Sequence, residues 1–160
     1  FAWEAFGSIY AAKVNAIIPW AAVQNPPLWV GGDPNPGNAF QVDGRGGYEV
    51  RPGYYFYKGL CRAGQPGMSV VRVSANEGSV CPIGFAANGS GNGDNVVLIN
   101  VGDKSTTVDL ELPGTTHDTF DTYRTSPGEN YIPLGETRTR EGVATMELPG
   151  GSVTTLLGKV

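Results

Sequence analysis

From Met68 onward the chain is a succession of short alternating runs: SVVRVSAN, VCPIGFAAN, NVVLINVG, TTVDLELP, TFDTYRTS, VATMELPG and SVTTLLGK. Turn residues such as Asn76-Glu77-Gly78, Gly102-Asp103 and Pro149-Gly150-Gly151 separate them. Alternation with a period of two places one set of side chains on each face of a strand. About seven such strands, each with one buried and one wet face, predict an antiparallel sandwich. The 24 glycines and 12 prolines agree, since they suit many tight turns and have no three-residue period. Phe85, Phe120 and Tyr123 alternate with polar neighbours and are expected in the sandwich core.

The residues ahead of Met68 follow another pattern. Trp3, Phe6, Ile9, Tyr10 and Val14 recur at steps of three and four, which predicts an amphipathic helix over residues 2–13. VNAIIPWAAV, residues 14–23, is apolar at nearly every position, as is a strand covered on both faces inside a parallel sheet. QNPPLWVGGDPNPGN carries four prolines and three glycines and predicts a long shaped loop. AFQVDGRGGYEV reads as a small hairpin. PGYYFYKGLCRAG reads as a helix over about residues 53–63, with Pro52 at its start and Gly64 near its end. The change of pattern near Gln65-Pro66-Gly67 divides the chain into a segment 1–66 and a sandwich domain 67–160.

Charge and composition exclude several functions. A formal charge of -4 without a basic cluster leaves no footprint for nucleic acid. No apolar stretch reaches the roughly 20 residues of a membrane span, the longest being broken at Pro19 and Gln24. Two cysteines and the single His117 are too few for a structural zinc site, so neither metal nor cofactor is expected. Cys61 and Cys81 are either a disulfide, closing a loop of about 20 residues and adding roughly 3 kcal/mol, or two separate buried thiols. Their spacing does not decide between the two. Asn88-Gly89-Ser90 matches a glycosylation acceptor, a triplet that also arises by chance. A start at Phe1 with no leader pattern is expected of a processed, truncated or excerpted chain.

The order of helix, apolar strand ending in Pro19-Trp20, aromatic helix YYFYKGLCRAGQPGM and a sandwich finishing SVTTLLGKV resembles glycoside hydrolase family 30 and its relatives, over almost the whole chain. Tyr54, Tyr55, Pro66 and Gly67 fit that family's junction between a TIM-type barrel and its β-sandwich. NVVLINVGDKSTTVDLEL resembles its central sandwich hairpin, and YRTSPGENY its later strand and loop. The fold so implied is mainly β, an antiparallel β-sandwich preceded by a helix-strand-helix segment like the end of a barrel. The family's retaining mechanism needs two carboxylates about 5 to 5.5 Å apart. The resemblance sets them at the ends of the fourth and seventh barrel strands, both upstream of Phe1, so no catalytic residue is expected here. Glu4 lies only 16 residues before Trp20 and reads as a solvated carboxylate near a helix amino terminus rather than as a nucleophile. Asp33, Asp43 and Glu49 follow the last barrel-like strand and could contact sugar hydroxyls.

Sugar sites combine a flat aromatic platform with a few hydrogen-bonding side chains. Trp20, at the carboxyl end of the barrel-like strand, is the leading candidate, with Gln24 and Asn25 following it; the alternatives are a core tryptophan and ordinary turn chemistry. Trp29, in a loop of proline, glycine and asparagine, is either a second platform or an anchor folded under its loop. Tyr54, Tyr55 and Tyr57 read as junction packing. The expected function is that of a non-catalytic carboxyl-terminal part of a secreted polysaccharide-degrading glycosidase, partnered by a polysaccharide and an upstream catalytic barrel. A separately acting carbohydrate-binding module and a purely structural cap are the alternatives. The unpaired edges of an isolated barrel strand also invite dimerisation through the amino-terminal segment.

Overall fold

The computed structural model describes residues 2–19, 22–25 and 38–160. The chain opens with α1 (Ala2–Tyr10), then β1 (Val23–Gln24), β2 (Phe40–Val42) and β3 (Tyr48–Val50), which form a small sheet with β1 parallel to β2. Helix α2 (Pro52–Ala63) begins with proline in its first turn, where the missing N–H costs nothing. The expected helix over about 53–63 is therefore found, and that over 2–13 ends three residues early. The apolar run 14–23 is strand only at Val23–Gln24 among its described residues, and Ile18 is 91% exposed. An extended run gains nothing from hydrophobicity alone: a ladder needs neighbouring strands, and residues 14–19 have none among the described residues.

Two larger sheets follow. They are built from β4 (Ser69–Val71), β5 (Ser74–Ala75), β6 (Val80–Ala86), β7 (Asn95–Asn100), β8 (Thr106–Glu111), β9 (Thr119–Ser126), β10 (Glu129–Arg138), β11 (Val143–Leu148) and β12 (Ser152–Gly158). One has the order β10-β9-β12-β7-β6-β4 and the other β11-β8-β5, all neighbours antiparallel. The mainly β antiparallel sandwich read from the alternation is the observed fold.

Its layers depart from the sequence reading in one respect. The inner strands β6 and β7 are buried on both faces instead of one. Between the sheets lie Val80, Val96, Leu98, Val108, Leu110, Phe120, Leu148 and Leu156. On the outer face Cys81, Ile83, Phe85, Val97, Ile99 and Val153 pack with Ala63, against Phe6, Ile9, Phe56 and Leu60 of the two helices. Phe85 thus belongs to the helix-covered layer rather than the inter-sheet core expected for it. Tyr123 also faces the helix, stacked on Tyr131 at 4.8 Å with the Arg62 guanidinium over its ring. Phe120 is where the alternation put it, fully buried between the sheets. Each large aliphatic buried in this way stabilises by roughly 1.5–3 kcal/mol, so the helices supply a second core. Gly59 lets α2 come close, because a Cβ there would sit 2.7 Å from the Thr155 hydroxyl oxygen.

The alternating run SVVRVSAN is split. The strand pairs with β6 as far as Val71, crosses at Arg72–Val73, and joins β8 at Ser74. Val73 tucks over Gly84, where a Cβ would be 2.3 Å from its methyl. Tyr10 of α1 closes the ladder at the break: its hydroxyl donates to the Val71 carbonyl at 2.6 Å and accepts from the Gly84 N–H at 3.0 Å. Half-burial raises its pKa above the ordinary tyrosine value, so it stays protonated and able to donate. Tyr10→Phe should leave both backbone groups without this partner and cost about 1–3 kcal/mol. Urea unfolding checks it, and an unchanged midpoint would show that the clamp carries no stability.

Candidate functional site

The small sheet places the described members of the site. Gln24 on β1 is 3% exposed, and its Oε1 accepts from Asn38 Nδ2 at 3.2 Å, a bond between side chains fourteen residues apart. Gln24 Nε2, Asn25 Oδ1, Asn38 Oδ1 and Arg51 Nε are buried and have no hydrogen-bond partner among the described residues. Asn38 and Arg51 were not singled out from the sequence. Asn38 follows Pro36-Gly37 and looks like any turn asparagine, and only the folded hairpin brings it to Gln24. Trp20, Trp29 and Asp33 lie outside the described residues.

The other carboxylates near the hairpin are engaged. Asp43 Oδ1 accepts from the N–H of Arg45 at 2.7 Å and of Gly47 at 3.0 Å, closing the β2–β3 turn. Glu49 pairs with Arg51 at 3.0 Å. Glu4 is exposed in the first turn of α1, where the helix dipole favours an acid. A general acid needs a carboxyl held above its usual pKa. Glu129 and Glu136 are both held below it, Glu129 by the Arg124 guanidinium and Glu136 by the Lys159 ammonium. Among the described residues no three His, Cys, Asp or Glu side chains group as metal ligands, and no helix is long and apolar enough to cross a membrane.

The junction tyrosines pack as a chain of rings. Tyr54 touches Phe40 at 5.3 Å and Tyr55 at 5.2 Å, tying α2 to the hairpin. Burial, then the neighbouring Cys61 and Glu4, push the Tyr57 phenol up to about 12. Cys61 is exposed on α2, Cys81 is buried in β6, and both are free.

No protein-family model and no curated protein matches the sequence. Solved structures do. A glycoside hydrolase family 30 subfamily 8 xylanase from Clostridium acetobutylicum superposes with a TM-score of 0.79 at 19% identity, over 99% of this chain and 38% of that one. The catalytic domain of a family 30 xylanase from Talaromyces cellulolyticus gives 0.76 at 19% identity, over 99% and 34%. A conserved exported protein from Bacteroides fragilis gives 0.73 at 17%, over 98% and 32%. The chain spans about a third of the length of these proteins. At such identities the likeness establishes the fold, which is that of a family 30-like carboxyl-terminal domain, as the sequence resemblance implied.

Proposed function

We propose that this chain is the non-catalytic carboxyl-terminal part of a secreted polysaccharide-degrading glycoside hydrolase, working with an upstream barrel that supplies both catalytic carboxylates. The observation that carries the reading is the whole-chain superposition on a xylanase more than twice as long. Residues 1–66 form the end of the barrel and 67–160 the sandwich. Trp20 and Trp29 are the stacking platforms, and Gln24 the amide that orders their loop and reads hydroxyls. Exposed Trp3, Ile18, Val23 and Tyr48 supply the apolar surface that a barrel would cover, or that would pair two copies in its absence.

Two expected results follow from this division of labour. The isolated chain should hydrolyse no glycan above the buffer rate, whereas co-expression with an upstream barrel should restore glycosidase activity. Turnover by the isolated chain that Glu4→Gln abolishes would refute the reading, and so would an inactive pair with a well-folded barrel. Trp29→Ala should weaken glycan binding about tenfold with folding nearly unchanged, because it removes stacking worth roughly 0.5–1.5 kcal/mol beyond the buried area. A stability loss of about 3–5 kcal/mol with affinity intact would make Trp29 a buried anchor instead.

A further inference from the structure

We infer that the groove between α1 and β4 is a second glycan site, which takes a carboxylate-bearing stretch of polysaccharide through Arg72 and Lys13. This rests on the polysaccharide reading above but uses none of its residues. The groove has a volume of about 1160 Å³ and is lined by Tyr10, Lys13, Asn15, Gln65, Met68 and Arg72 among others. That exceeds the roughly 300–1,000 Å³ of ordinary ligand clefts and gives room for several sugar rings in a row.

Its charge is opposite to that of the chain. Fifteen acidic residues give a net charge of -4, yet among the described residues the groove is lined by two cations and no carboxylate. Arg51, Arg124, Arg138 and Lys159 are paired with carboxylates, and Lys58 and Arg62 lie over tyrosine rings. Arg72 and Lys13 have no such partner among the described residues; nor do Arg45, Lys104 and Arg140, but none of these three lines the groove. Arg72 sits at the crossing between the sheets and also lines two further clefts of about 510 and 240 Å³, so one residue borders three cavities. Asp94 and Glu111 line the smallest of these, on the inter-sheet side.

The rest of the lining suits a sugar. Met68, Val70 and Phe85 offer apolar surface for ring faces, and the amide of Asn15 can meet hydroxyls. A planar guanidinium binds a carboxylate through two parallel hydrogen bonds. Poly-glutamate would meet the same two charges but offers no ring faces to the apolar lining.

Titration calorimetry of the full chain with a galacturonate hexamer, xylohexaose and poly-glutamate tests the site. The galacturonate hexamer should bind, with affinity falling as salt rises from about 50 to 500 mM. The Arg72→Gln, Lys13→Gln double variant should lose at least tenfold with an unchanged melting temperature. Equal binding by the double variant, or equal binding of poly-glutamate, would overturn the site. No uronate binding alongside retained retardation in neutral xylan would overturn the groove alone. Failure of both ligands would count against the polysaccharide reading as well.

Discussion

Asn100→Asp should remove about 3–5 kcal/mol of stability at neutral pH, the range for an uncompensated buried charge. The Asn100 side chain is 1% exposed at the end of β7, and its Nδ2 donates to the carbonyls of Lys104, Leu148 and Pro149 at 2.9, 3.0 and 3.0 Å. Its Oδ1 accepts from the Gly102 N–H at 3.0 Å. One amide therefore ties a strand of the larger sheet to the turn that enters the smaller one at β8 and to the turn that leaves it after β11. The new carboxylate would face three carbonyl oxygens and could donate to none. Its folded pKa would be raised above the roughly 3.9 of a free aspartate, by burial and by the carbonyl dipoles. The sign then follows: protonated, the new group can still donate once, so the deficit is smallest below the unfolded pKa. It grows as pH rises through the folded value. Urea titrations at acid and neutral pH check this, and a small deficit independent of pH would contradict the network.

Phe120→Ala should cost about 3–5 kcal/mol, as truncating a large core aromatic does. Phe120 is 0% exposed in β9 and packs in the inter-sheet cluster. It also walls the 240 Å³ cleft at the end of the sandwich, so truncation enlarges an existing cavity rather than letting the sheets collapse. A loss under about 1 kcal/mol in urea unfolding would show that the sheets do not close over this side chain.

The strands that the sequence made legible are those that alternate and end at turn residues, because period-two burial and turn chemistry are both local. β8, from Thr106 to Glu111, is buried and exposed in strict alternation at its centre. The misreadings have non-local causes. β10 does not stand out in the sequence: ENYIPLGETR contains Pro133 and Gly135, which argue against a central strand. It is an edge strand in which bulges interrupt the pairing between Glu129 and Ile132 and between Pro133 and Gly135, and an edge tolerates proline because one side of the backbone has no ladder to donate to. The splitting of residues 69–76 between sheets depends on Tyr10, some sixty residues earlier in the chain, which no local pattern reveals. Two-sided burial of β6 and β7 likewise depends on α1 and α2 lying across them, and a run such as VCPIGFA reads the same with or without that cover.

The candidate site was legible only as residue types. Gln24 could be nominated from its place after an apolar run, but its pairing with Asn38 depends on how the hairpin brings both ends of the loop together. A Pro/Gly/Asn-rich stretch gives no period from which such a contact could be read.

Affinity electrophoresis of the intact chain in native gels containing xylan, cellulose, mixed-linkage glucan or chitin tests the carbohydrate-associated role most directly. The account predicts retardation in at least one gel, with that retardation reduced in Trp29→Ala. Mobility equal to the polymer-free gel in all four, for a chain with a cooperative unfolding transition, would contradict it.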